Sequence, residues 1–325
     1  MTCYIYLLKN YNQMFIDGNI NTQIKRRTVY GISLGSSKRD HTGEIQIGWT
    51  HFKLIRKGTD GSIEKAATLF KQYDGKVDAF GLGGAVLNLP FNNHKYYFKE
   101  LKQLSNAVNF TKIGDGNAVK GILSENALNA IKSEGIQLQG MKTLHMGAID
   151  RYSQAEVLVK NGCDIVFGDF MFGMGLPIPV RSLKTMNKVG SIALPVITQL
   201  PFRWFYPIGK KQDKKPSQKF KKYFQESELI VGDYIWMKVN LPDDLSGKII
   251  LTNTTTADDV EELKRRGLKM LVTTTPRIDG RTFGTNIIEA MLLCLIDKSE
   301  KEITDEDFRE LINKIPVRPN IEKLN

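Results

Sequence analysis

Cysteine is scarce. The 325 residues hold three, Cys3, Cys163 and Cys294, far apart, with no Cys-x-x-Cys pair and no histidine beside them at ligand spacing. That excludes a disulfide-stapled scaffold and a zinc-finger type of site, and it predicts a reducing, cytoplasmic setting. Histidine is nearly as scarce. His41, His51, His94 and His145 show no ligand spacing, so no metal is expected, and His145, inside an apolar strand, reads as a satisfied core residue. Long apolar runs are missing too. The best candidate, residues 191–209 (SIALPVITQLPFRWFYPIG), contains Arg203, Pro195, Pro201 and Pro207, whereas a spanning helix needs about 20 nearly charge-free residues. No transmembrane segment is expected. The apolar YIYLL near the start is too short for a signal-peptide core and no basic stretch precedes it. Residues 1–27 are therefore expected to be an extension ahead of the first strand.

Phosphate-binding signatures are also wanting. GISLGSSKRD (31–40) lacks the Gly-Lys-Ser/Thr ending and the following helix of a P-loop, and GLGGA (81–85) runs into Pro90 where a binding helix would continue. The second stretch reads as a β-turn. None of the nucleic-acid reading elements is present, so no nucleic-acid partner is expected.

What the chain has in abundance is positive charge in one place. Residues 181–222 carry eleven Lys or Arg against one acid, Asp213, a surplus of ten out of a net charge of +11. Phe202, Trp204, Phe205, Tyr206, Phe220 and Tyr223 are interleaved with it. Such a segment is either a solvated lysine-rich loop or a surface that meets something anionic, a membrane or an acidic carrier protein. The composition as a whole, 41% hydrophobic and 25% charged, is that of a globular protein, and the length calls for two domains or one domain with a large elaboration.

The first half reads as strand, turn, strand: TVYGISL, then GSSKRDHTG, then EIQIGWTHFKLIRKG, with Ile45, Ile47 and Trp49 alternating. GSSKRD is expected at a hairpin tip. A helix follows, with Ile63, Ala66, Ala67 and Phe70 on one face and Gly75 ending it, then a strand into GLGGA and two amphipathic helices around TKIGDGNAVKG. From Lys142 the rhythm changes to a βαβ unit (KTLHMGAI, DRYSQAEVLVKNG, CDIVFGD), followed by the strands SELIVGD, GKIILTN and LKMLVTTTP alternating with helices. The predicted class is α/β: an N-terminal α/β substrate domain (28–140), then a Rossmann-like, doubly wound parallel-sheet cofactor domain (141–296) with the basic aromatic insertion at 176–226, then a C-terminal tail helix (297–325).

The chemistry is expected at strand ends. Gly147 closes a strand just before a helix, and Asp169 follows 22 residues later, near the spacing at which an acid meets the ribose hydroxyls of NAD. That makes Gly147, Asp150, Arg151 and Asp169 candidate ligands of NAD or NADP, with Asn253, Thr254 and Thr275 from the hydroxyl-rich ends LTNTTT and LVTTTP. Asp233 in LIVGD echoes Asp169 in DIVFGD at a second strand end. Arg281, opening the last long helix, could meet an anionic group. In the first domain Lys38, Arg39 and Asp40, and then Asp115 with Lys120, are the ionisable candidates. A Lys-Asp pair suits alcohol oxidation, since the ammonium stabilises a developing alkoxide and the carboxylate orients it. Lys38 with Asp40 and Asp115 with Lys120 are the catalytic candidates, and Ser36, Ser37 and Lys38 either face the interdomain cleft as substrate ligands or form an exposed turn.

Together GISLGSSKRD, DGKVDAFGLGG, VFGDFMFGMGLPIPVRSL, LTNTTT and RTFGTNIIEA, spread from Thr28 to about Ile296, resemble a bacterial family labelled quinate 5-dehydrogenase. SLGSS loosely resembles the Ser-x-Ser substrate motif of shikimate and quinate dehydrogenases, while their Asn-Val-Thr-x-Pro-x-Lys segment is absent. The resemblance implies a two-domain oxidoreductase using NAD or NADP on a quinate- or shikimate-like substrate. The alternative is a Rossmann-like protein without catalysis that docks on an anionic surface through 181–222.

Overall fold

The computed structural model describes residues 24–204, 219–315 and 317–325. The chain is a mixed α/β structure of two main sheets. The first is built from β1 (Lys25–Ser33), β2 (His41–Ile47), β3 (Thr50–Gly58), β4 (Ala79–Gly83) and β7 (Lys112–Gly114), in the order β2-β3-β1-β4-β7. Only β2 runs antiparallel among them. β1 and β3 are parallel because β2 reverses the chain between them, and β4 joins them because the chain between β3 and β4 is α1 (Ile63–Tyr73), which Ser62 caps by accepting from Lys65 N–H. A helix returns the chain to the same edge, where a tight turn would reverse it.

Here the structure corrects the sequence. β1 begins at Lys25, inside the expected extension, whose residues 1–23 lie outside the described residues. GSSKRD is no hairpin tip: the hairpin is β2–β3, turning at Gly48 and Trp49, while β1 pairs in parallel with β3. The alternating run EIQIGWTHFKLIRKG is thus two strands. GSSKRD is instead a single tight turn at the C-terminal end of β1, with Ser36 Oγ accepting from Lys38 N–H.

The second sheet comprises β8 (Lys142–His145), β9 (Asp164–Phe167), β10 (Leu229–Val231), β11 (Ile249–Thr252), β12 (Met270–Thr273) and β15 (Asn320–Lys323), in the order β15-β12-β11-β10-β8-β9. Its five leading strands are parallel and doubly wound, with Leu144, Ile230, Leu251 and Leu271 fully buried. Counted from β8, their order is 2-1-3-4-5, the flavodoxin-like arrangement, rather than the 3-2-1-4-5-6 of the dinucleotide fold. The tail from 297 is more than a helix. After the helix Asp305–Lys314 it adds β15, antiparallel to β12, because Asn320 to Lys323 find an unpaired strand edge.

Short connectors in the first half are β5 (Leu89–Phe91), β6 (His94–Tyr96) and α2 (Lys102–Ser105), and a small hairpin of β13 (Arg277–Ile278) and β14 (Arg281–Thr282) follows β12. The long helices that follow are α3 (Asn117–Ser133), α4 (Tyr152–Lys160) and α5 (Leu183–Ile197); α5 runs through Pro195 in its last turn. Then come α6 (Lys221–Glu226), α7 (Tyr234–Lys238), α8 (Ala257–Arg265) and α9 (Thr285–Leu293). α9, expected in the cofactor half, packs on the first sheet instead: Ile287 lies so close to Gly31 that a Cβ there would strike its side chain. Ile287, Ile288 and Met291 share a buried cluster with Val29, Phe52 and Leu54. The two halves are therefore interlocked by a crossover, and no described helix is long and apolar enough to cross a membrane.

A chain ending at Arg318 would lack β15 and leave β12 as an open edge. At about 1 kcal/mol per ladder bond it should lose roughly 2–4 kcal/mol in urea unfolding and aggregate on refolding. A simple tail helix predicts an unchanged midpoint.

Candidate functional site

Each parallel sheet has one place where successive connections leave in opposite directions, and open α/β sheets bind ligands at the carboxyl ends of such strands. In the first sheet that place is between β1 and β4, in the second between β8 and β10. The strand ends are flush: Ser33 pairs with Gly58 and Gly83, and His145 pairs with Phe167 and Val231, which in turn pairs with Leu251. The two switch points face one cavity of about 240 Å³ between the sheets. Its lower side is Ser33, Gly35, Gly83 and Gly84. Its upper side is Gly147, Asp169, Asp233 and Asn253, each two residues beyond the flush row of the second sheet. α5 closes it with Met186, Gly190 and Leu194, apolar at helical spacing.

Arg39, Arg56 and Arg281 meet at one end of this cavity. Arg39 Nη2 donates to Thr254 O (2.7 Å) and faces Asp259 at 3.6 Å, joining the turn after β1 to the loop after β11. Thr254 holds a left-handed φ of 53°, strained for a β-branched residue and kept by that loop's contacts. Arg281 donates from Nη1 back to Arg39 O. Arg56 Nη1 donates to Ser36 O (3.1 Å) and Asp40 (3.3 Å), and its Nη2 to Ser33 Oγ (3.2 Å). Burial, with the like charges around it, pulls Arg56 down to about 10, and burial with Arg39 does the same to Arg281. Arg39 Nε and Arg281 Nη2 are buried with no hydrogen-bond partner among the described residues.

Elsewhere on the lining Arg151 Nη2 donates to Asp233 Oδ2 (3.0 Å). Asn253, its amide turned to satisfy both neighbours, donates to Asp233 Oδ2 (3.2 Å) and accepts from Arg151 (3.3 Å). Lys120 Nζ donates to Asn117 Oδ1 (2.9 Å) and Asp150 O (3.0 Å), and stands 3.7 Å from Asp150 Oδ1. The expected Asp115–Lys120 partnership is looser. Both line the cavity, but Asp115 accepts from Leu87 N–H, Asn117 N–H and Asn117 Nδ2, which makes it a loop tether. Burial raises Asp115, and burial followed by the nearby Asp115 charge lifts the buried Glu289 to about 8, so this pair retains a proton near neutrality. Lys120 with Asp150 is the better ion pair on the wall.

The dinucleotide expectation meets an obstacle at its own loop. Asp169 accepts from Ala148 N–H (3.1 Å) and Ile149 N–H (2.8 Å), the donors a pyrophosphate would use. The Trp236 ring lies where a Cβ on Gly147 would be, so that glycine accommodates an indole. As they stand, these residues do not fit a pyrophosphate. Asp169 is buried, and burial raises it to about 6.

Of the residues read from sequence, Asp115, Lys120, Gly147, Asp150, Arg151, Asp169, Asn253, Thr254 and Arg281 line the cavity. Ser36, Ser37, Lys38, Asp40 and Thr275 do not. Ser37 and Lys38 are exposed because the turn after β1 points them outward. Asp40 instead fixes that turn, accepting from Gly58 N–H (2.6 Å) and holding Arg56 and Lys57. Thr275 is buried and donates to Phe283 O (2.7 Å). His145 is in the core but unsatisfied: neither ring nitrogen has a partner among the described residues, and burial holds it neutral, at about 3. Arg39, Arg56 and Trp236 were not singled out as ligands. Arg39 sat in the charge cluster that was named; Arg56, one arginine in a basic strand, gave no signal. Of the basic segment, Phe205, Tyr206, Lys210, Lys211, Lys214 and Lys215 lie outside the described residues, and Lys184 and Lys188 are exposed on the outer side of α5.

Because the raised Asp169 binds its proton more tightly in the folded chain, its contribution to stability is present at low pH and lost as pH rises through about 6. The stability of wild type minus that of Asp169→Asn should therefore rise by on the order of 2 kcal/mol between pH 7 and pH 4 in urea titrations. A difference that is flat with pH would contradict this burial.

Three solved structures share partial likeness. The NAD-dependent malic enzyme of Thermotoga maritima is 12% identical over 84% of this chain and 71% of that one, with a TM-score of 0.32. A galactofuranose binding protein is 11% identical over 91% and 94%, at 0.32. The Trypanosoma brucei methylenetetrahydrofolate dehydrogenase-cyclohydrolase is 10% identical over 90% and 89%, at 0.31. Likeness this weak bears on no function. No curated protein matches the sequence. Residues 28–115 match the family described as Domain of unknown function (DUF8753), and residues 118–324 match a second, so that the two meet at the start of α3. By that second match, over most of its length, the chain belongs to the family described as Domain of unknown function (DUF8754).

Proposed function

We propose that the protein takes a small organic anion into the cavity between its two sheets, with the anionic group on Arg39, Arg56 and Arg281. The observation that carries this is the convergence of three guanidinium groups, two of them with buried nitrogens that no described residue engages. Like charges this close are costly unless a counter-charge joins them. The cavity, below the about 300–1,000 Å³ of drug-sized pockets, suits a metabolite rather than a dinucleotide. Lys120 is the group set to act on it. An ammonium has three donors, two are engaged by Asn117 and Asp150, and the third is available to a hydroxyl or to the oxyanion formed from it.

A second reading is the NAD- or NADP-linked oxidoreductase of quinate- or shikimate-like substrates that the family resemblance implies. It is favoured by the Lys120–Asp150 pair, which can hold and move a hydroxyl proton. A nucleotide would have to displace Asp169 from the Ala148 and Ile149 amides. The two readings part in calorimetry. Quinate and other small organic anions should bind, and Arg281→Gln should weaken them at least tenfold. NADH or NADPH binding that Asp169→Asn strengthens would support the oxidoreductase. No response to any anion would overturn the leading reading. Lys120→Met should keep anion affinity within about threefold while abolishing any turnover, which separates binding from chemistry.

A further inference from the structure

Resting on the anion reading of the same cavity, we infer that its ligand is a phosphate ester of a sugar or short polyol. The two walls make different demands. At the arginine end the two acids are already shared: Asp40 by Gly58 N–H, Arg56 and Lys57, and Asp259 by the Thr256 cap, Lys238 and Arg39, which leaves the cations in excess. Three guanidinium groups line one space, and Arg281, only 7% exposed, has its Nη2, like the Nε of Arg39, buried without a hydrogen-bond partner among the described residues. A carboxylate brings one charge and two oxygens. A phosphate monoester brings nearly two charges and three terminal oxygens, one for each arginine, and guanidinium forks match that geometry.

The Lys120, Arg151, Asp233 and Asn253 side of the cavity asks for no second anion. Lys120 and Arg151 are balanced there by Asp150 and Asp233, and donors alternate with acceptors. Asp150 Oδ1, 3.7 Å from Lys120 Nζ, and Arg151 Nε are buried without a hydrogen-bond partner among the described residues, one an acceptor and the other a donor. Hydroxyl groups, which both donate and accept, satisfy such a wall; an apolar chain would leave it unpaired. Trp236, held against Gly147 at the cavity edge, offers a flat apolar face to the C–H side of a sugar ring. The phosphate positions the ligand and the second wall selects it.

Calorimetry at fixed ionic strength with inorganic phosphate, ribose 5-phosphate, ribose and quinate tests this. Ribose 5-phosphate should bind at least tenfold more tightly than inorganic phosphate, with ribose undetectable and quinate weaker than the ester. Arg281→Gln should remove both phosphate signals. Should that variant fail to fold, Arg56→Lys should weaken both by about five- to tenfold. Asn253→Ala should leave inorganic phosphate unchanged and cost the ester about tenfold. Binding of quinate with both phosphates silent would overturn the phosphate ester and leave the anion reading standing. Ribose binding as tightly as its ester would overturn the dianion, and silence toward all four would overturn both readings.

Discussion

The contact on which the architecture turns is Arg39. Its guanidinium reaches from the turn after β1 to the Thr254 carbonyl after β11, while its own carbonyl receives Arg281 from the strand before α9. One residue thus ties the first sheet, the second sheet and the crossover helix at a single point. The charges gathered there would repel on their own. Asp40 and Asp259 hold them partly balanced: although burial would raise Asp259, Lys238 and Arg39 keep it low. The partial balance leaves room for an incoming anion, so the same cluster that ties the sheets together also brings three guanidinium groups to the cavity.

That coupling has a physical cost, which the surrounding backbone absorbs. Thr254 sits at a left-handed φ that a β-branched residue avoids, and it does so where its carbonyl must face Arg39. Strain concentrated at a ligand-facing loop, with the capping box of Thr256 and Asp259 immediately after it, is the pattern expected when a site is held ready before its ligand arrives.

The interlock of the halves follows from α9. A helix so apolar must be buried on most sides, and the first sheet offered the uncovered face, with Gly31 allowing close approach. The crossing fixes the chain's last third against its first. It leaves the C-terminal strand to close the second sheet, so each half contributes to the cohesion of the other.

The sequence by itself determined the α/β class, the parallel strands and most of one wall of the cavity. Gly147, Asp169 and Asn253 were legible because flush strand ends place side chains at a fixed offset, and small or polar residues after an apolar run mark that offset. It also offered Lys120, as a partner for Asp115, and Arg281, as a contact for an anionic group. Which partners they meet was decided only in three dimensions. Arg56 lies 17 positions from Arg39, and Arg281 another 225 beyond Arg56; no local pattern links them, because strand order, not spacing, brings β1, β3 and the segment before α9 together. The same holds for the turn at GSSKRD. Its residues specify a tight turn locally, but whether that turn is a hairpin or a strand end depends on which strand pairs with β1, and pairing is settled by the burial of whole faces.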